Sequence, residues 1–259
     1  MSATSAALIE KILHVLERRV AGGSASELAE ELGESAERIS AATAEGIGDE
    51  ILEHWPFWPE RIRATARATS PFLRDLADLR GRALPFLERM SAASGWPATL
   101  HLLVPGAHAV VERFPGHGDA EEIAREQARY ATPRSLRSGA TAMAIVAHLA
   151  DAPRAALLDR LELSDRAPQL AEIRAQGYCL SRGVDVTSGW ILSAPLRAPD
   201  GVPYGALCTY GVAGELDEGF AKRATETVLA CAIELSKLVR AEAVELRARA
   251  IIAEMTEPR

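Results

Sequence analysis

The chain has 259 residues with 29 Lys+Arg against 36 Asp+Glu, a formal net charge of -7. At 48% hydrophobic and 25% charged residues it has room for one large or two modest domains, and its composition excludes a disordered, collagenous or coiled-coil chain. No apolar run is long enough to span a membrane, and residues 1–10 lack the basic start and apolar core of a secretory signal, so the expected location is cytoplasmic.

Residues 5–20 place Leu8, Ile12, Val15 and Leu16 on one helical stripe, which Gly22-Gly23 ends. Ser24-Ala25-Ser26-Glu27 reads as a capping box, opening a short helix with Leu28, Ala29 and Leu32 on one face and Gly33 as its stop. A third helix from about Ser35 should turn Ala36, Ile39 and Ala42 inward. Helix, capped short helix, glycine turn and helix is the helix-turn-helix plan, whose last helix faces a major groove. Two alternating runs around the Pro-bounded turn at Pro56-Phe57-Trp58-Pro59 suit a hairpin wing. Residues 70–94 then read as a long linker helix, with Gly81 and Pro85 as candidate breaks.

From residue 96 the pattern changes. Strands are expected at 99–104 and 109–114 around Pro105-Gly106, and at 190–196 and 204–210 around Pro199-Asp200-Gly201. Helices are expected at 139–149 and 168–176, with one last long helix over 217–254. The fold class expected is α+β, divided into 1–68, a linker helix over 69–94, and 95–259.

The order and spacing of several motifs resemble the IclR family of bacterial transcriptional regulators. They are Leu84-Pro85-Phe86-Leu87-Glu88-Arg89-Met90, Leu136-Arg137-Ser138-Gly139-Ala140-Thr141-Ala142-Met143-Ala144, Ile173-Arg174-Ala175-Gln176-Gly177-Tyr178, and Ser193-Ala194-Pro195-Leu196 followed by Asp200-Gly201 and Gly205-Ala206-Leu207. The resemblance covers residues 5–240 and implies an N-terminal winged helix-turn-helix, a linker helix and a C-terminal GAF-like effector-binding domain, in a homodimer or tetramer. It implies an effector pocket around the Ser138-Gly139-Ala140 turn, whose backbone N–H groups at a helix start suit a carboxylate. Arg137 precedes that turn. Ser181 stands where members that bind small 2-oxo acids carry an acidic residue, Ile191 where they carry a small polar or thiol group, and Cys208 and Tyr210 replace two alternating serines. Alternation puts Cys208 and Tyr210 on one strand face, so the expected ligand is a small organic acid with an apolar or aromatic body.

For the operator DNA partner that the resemblance implies, Arg38, Ser40 and Thr43 are the candidate contacts on the third helix, with Arg61 and Arg63 on the wing supplying phosphate contacts. Ala41 falls where family members carry a characteristic Arg, and Glu37 where a phosphate or base contact is expected. Residues 1–54 hold four basic and eleven acidic side chains, so the whole acidic excess lies in the segment that would grip DNA. The alternative reading is a small-molecule-binding sensory or oligomerisation protein of the same fold that has lost DNA binding. No catalytic group, cofactor or metal is expected. Cys208 has no histidine near it in sequence to act as base, Cys179, Cys208 and Cys231 form no C-x-x-C, and His101, His108, His117 and Asp119 match no standard ligand spacing.

Overall fold

The computed structural model describes residues 3–116, 132–182, 189–212, 218–238 and 241–257. The chain divides into two compact units, Met1–Gly81 and Arg82–Arg259. The boundary falls inside a single helix rather than at its start.

In the first unit, α1 (Ala3–Arg18) is followed by the two-residue strand β1 (Gly23–Ser24), α2 (Ala25–Leu32), α3 (Ala36–Gly48), β2 (Leu52–Trp55) and β3 (Trp58–Ala64). The expected capping box is present: Glu27 N–H donates to Ser24 Oγ at 3.2 Å, and Ser24 N–H donates to Glu27 Oε2 at 2.8 Å. Gly33 ends α2 at φ 64°, and Ser35 Oγ accepts from Arg38 N–H to open α3. The expected hairpin forms, and β1 adds to it, giving an antiparallel sheet of order β1-β3-β2. Leu8, Ile12, Val15 and Leu16 are all buried, and they meet Leu28, Ile39, Leu52 and Ile62 in one core. Ala36 departs from the expected inward position and is exposed at the start of α3.

The linker helix α4 runs Pro71–Ser94, with Pro85 inside it, so neither candidate break ends it. Its first part belongs to the first unit and the remainder to the second.

The second unit is built on a six-stranded sheet of order β6-β5-β4-β9-β8-β7. Its strands are β4 (Ala98–Val104), β5 (Ala107–Phe114), β6 (Arg134–Ser135), β7 (Cys179–Arg182), β8 (Gly189–Arg197) and β9 (Pro203–Val212), and every neighbouring pair is antiparallel. Each residue of β4 is buried, as a strand covered on both faces requires. The helices are α5 (Ala140–Ala147), α6 (Asp151–Arg160), α7 (Ala167–Gln176), α8 (Glu218–Leu238) and α9 (Glu242–Thr256). The single long helix expected over 217–254 is therefore two helices, and α6 and β7 have no counterpart in the sequence reading. Helix α8 lies on the sheet face that carries Trp190, whose ring meets Phe220 edge-on at 5.6 Å between centroids. Helix α5 packs on β7, β8 and β9 as well, which leaves it the opposite face. All eight of its residues are buried, in keeping with the composition Ala-Thr-Ala-Met-Ala-Ile-Val-Ala.

Candidate functional site

Sheet register brings the dispersed effector candidates together. Ser181 pairs with Ile191, and Ile191 with Tyr210, so the three form one cross-strand row over β7, β8 and β9. All three are half-buried. Because side chains alternate along a strand, Cys208 lies on the same face one rung along, in a second row with Cys179 and Ser193. Cys208 is buried, its Sγ 3.8 Å from the Thr209 carbonyl, and Ser193 Oγ donates to the Leu207 carbonyl at 3.0 Å. Cys179 and Ser193 were missed from sequence although register makes them neighbours of Cys208. The missing signal was the pairing of β7, a strand too short to stand out.

The glycine turn is where the second part of the site was expected. Gly139 caps α5 at φ 92° and ψ 151°, a region open essentially to glycine alone. Gly139 has no side chain with which to cap this helix, so among the described residues no N-cap side chain takes up its first backbone N–H groups. Arg137 and Ser138 are exposed on the approach to the turn, and Ala140 is buried in the first turn of α5. A pocket of about 260 Å³ lies elsewhere, lined by Pro105, Gly106, Leu136, Leu157, Arg160 and Met255, and includes none of these effector candidates.

On the third helix, Arg38 and Ser40 are exposed, and Arg38 is ion-paired to Glu34 one turn back. The other three nucleic-acid candidates need correction. Thr43 is buried and its Oγ1 donates to the Ser40 carbonyl at 3.0 Å, because it follows Ala42 on the inward side of α3. Arg61 is only 3% exposed. Its Nε donates to the Ala21 carbonyl at 2.9 Å, its Nη1 lies 3.2 Å from Glu27, and its guanidinium stacks over Trp58. Arg63 is buried, 3.1 Å from Glu53 and over the Trp55 ring. Both lie on β3, the central strand of its sheet, and both have acidic partners inside the unit.

Burial lowers the Arg61 guanidinium from its ordinary range while the Glu27 charge opposes that shift. Burial would raise Glu27, but the Ser24 N–H bond and the charges of Arg61 and Arg19 outweigh it, and its pKa falls below the usual carboxylate value. Of the nine Lys and Arg in Met1–Gly81, seven (Arg18, Arg19, Arg38, Arg61, Arg63, Arg67 and Arg80) are ion-paired within the unit. Among the described residues of this unit, Lys11 and Arg74 stand exposed outside those pairs.

Trp190 is fully buried in the core. Among the described residues no three His, Cys, Asp or Glu side chains group as metal ligands, and His117 and Asp119 lie outside those residues.

No protein-family model matches the sequence, and no curated protein does either. Solved structures do. The chain shares the fold of IclR transcriptional regulators. A regulator of that name from Alicyclobacillus acidocaldarius is similar at a TM-score of 0.58 and 16% identity, over 93% of this chain and 100% of that one. The Thermotoga maritima IclR is similar at 0.54 and 16%, over 89% and 98%. The C-terminal domain of the E. coli transcriptional regulator KdgR covers 62% of this chain and 98% of its own, at 0.51 and 14%.

Proposed function

We propose that this chain is an IclR-type transcriptional regulator: a winged helix-turn-helix in the first unit engages operator DNA, and a GAF-like second unit binds a small organic acid that alters this engagement. The observation that carries the reading is the fold likeness to IclR regulators along nearly the whole chain. The in-register row of Ser181, Ile191 and Tyr210 supports the effector part, as do the uncapped N–H groups of α5 behind Gly139. A half-buried row with one hydroxyl, one aliphatic and one phenol side chain suits a carboxylate on an apolar or aromatic body. Arg137, Ser138 and Ala140 complete the carboxylate end, and Cys208 closes the floor. The ligand shifts the population of DNA-competent arrangements by binding one of them more tightly. A homodimer is required in this scheme, because two recognition helices must meet two half-sites.

On α3, Arg38 and Ser40 make the direct contacts, with Lys11 and Arg74 supplying charge. Fluorescence anisotropy with DNA from upstream of the gene tests this at low and moderate salt, for the native chain and Arg38→Ala. Specific binding weakened by the substitution supports the regulator; absence of binding even at low salt refutes it.

The internal pairing of seven of nine cations favours a second reading, in which the helix-turn-helix persists as an oligomerisation module. That reading predicts a DNA affinity indistinguishable between specific and scrambled sequences.

A further inference from the structure

The second unit contains a buried imidazole pair that the effector scheme does not use. His101 on β4 and His108 on β5 are 6% and 4% exposed, and their Nδ1 atoms are 3.0 Å apart with the rings edge to face. On its other side, His101 Nε2 is 2.9 Å from Thr99 Oγ1, and Thr99 Oγ1 donates to the Cys208 carbonyl on β9 at 3.4 Å. The Nδ1–Nδ1 contact requires one ring to donate and the other to accept. Donation from the Thr99 hydroxyl to the Cys208 carbonyl favours His101 Nε2–H donating to Thr99 and His108 Nδ1–H donating to His101 Nδ1. The chain runs His108, His101, Thr99, Cys208, tying β5 to β4 and β4 to β9.

We propose that His101 and His108 form an acid-sensitive latch in the sheet, locked as complementary tautomers and holding only while His101 is neutral. The first proton goes to His108 Nε2, which leaves its Nδ1–H bond to His101 intact. A second on His101 Nδ1 would set two N–H groups head to head and break the bond. The surroundings resist even the first. Burial holds both imidazoles below their ordinary range, His108 at about 4 and His101 well below its usual value; the neighbouring His108 adds to the effect on His101, and Arg134, which pairs with His108 across β5 and β6, adds a like charge to both. Arg113 lies in register with Thr99, and the neighbouring Glu112 carboxylate accepts from the Arg113 backbone N–H. Helix α5 contributes no titratable side chain, and on α9, which packs on β4 and β9, Arg249 pairs with Asp200 at 2.7 Å and lies 3.9 Å from Glu245, whose charge acts on Tyr204. Among the described residues the charges that act on the pair are those of His108 and Arg134, both of which oppose protonation.

The unfolded chain takes up both protons just below pH 6.5, while in the folded chain His108 takes up none until about pH 4 and His101 is likewise held well below its ordinary range. Over that interval His108 makes the unfolding equilibrium constant rise by about tenfold per pH unit, and His101 adds to the slope in the same direction while it stays neutral in the folded chain. The test is nitrogen-15 NMR of the imidazoles in the full chain, with unfolding measured against pH for the native chain and His108→Asn. The Asn amide keeps a donor at the Nδ1 position but cannot titrate. The expected spectra at pH 7 show His101 as the Nε2–H tautomer and His108 as Nδ1–H, with His108 not titrating above about pH 5 and His101 titrating well below its ordinary range. In His108→Asn the pH slope of unfolding falls by about tenfold per unit. Two Nε2–H tautomers, titration of either ring near 6.5, or an unchanged slope overturns the latch. Should the variant fail to fold, the native spectra alone decide.

Discussion

Replacing Arg61 by Leu separates a structural arginine from a DNA-contacting one. The substitution removes the donors to the Ala21 and Gly22 carbonyls and the cation facing Glu27. Each buried carbonyl left without a donor costs about 1–3 kcal/mol. The Glu27 side chain is one-third exposed, so water recovers most of its charge and its share is discounted. Leucine returns some apolar burial, and the net loss is about 3 kcal/mol, near the low end for breaking a buried pair. At about 4–8 °C per kcal/mol for a unit of this size, the first unit should melt at least about 12 °C lower. Arg67, exposed and paired to exposed Glu50, is the control: Arg67→Leu should cost less than about 0.5 kcal/mol. Calorimetry on the full chain measures both, with DNA affinity measured below the lower melting point. An Arg61→Leu protein that melts like the native chain but has lost DNA binding would refute the assignment of Arg61 to the core.

Other substitutions probe the remaining features. Gly33→Ala, where an added methyl meets nothing within 4 Å, should cost about 1 kcal/mol through its left-handed backbone alone, read by urea denaturation; a neutral result would mean the turn has another conformation. Gly139→Ala forces a side chain into a region that excludes it, and should lower both the melting temperature and the affinity for aromatic acids, measured by thermal shift. Tyr210→Ser should weaken binding of an aromatic acid by about tenfold while leaving a small 2-oxo acid such as glyoxylate little changed, by calorimetric titration. For pH, burial depresses His108 to about 4, so its contribution is intact above 6.5, declines as pH falls, and levels off below about 4. That group alone removes about 3 kcal/mol over the interval, visible as a falling urea midpoint.

Local signals and pairing signals were legible to different degrees. The capping box at Ser24, the stop at Gly33 and the α1 stripe are short-range, and each appears as the residues dictate. The hairpin was legible from its alternation, but the role of its arginines was not. Arg61 and Arg63 looked like wing cations because sequence shows charge and not which strand edge is covered; β1, two residues long, covers that edge. Thr43 failed for a related reason, one residue past Ala42 and turned to the inside of α3. In the second unit the effector candidates were found individually, and only register shows that Ser181, Ile191 and Tyr210 share a row. The histidine pair was weighed as a possible metal site because spacing alone cannot tell a ligand from a hydrogen-bonded neighbour. The break between α8 and α9 was invisible to periodicity, since both helices keep apolar stripes on either side of it.

The central claim is that one ligand-binding unit controls one DNA-binding unit. Its most direct test is the dissociation constant for upstream DNA, measured at fixed salt across a series of small aromatic carboxylic acids. The account predicts specific binding that at least one acid changes by about fivefold or more, with the effect abolished in Gly139→Ala. Specific binding that no acid alters, or no specific binding in 50 mM salt (about the lower end of the usual range), would contradict it.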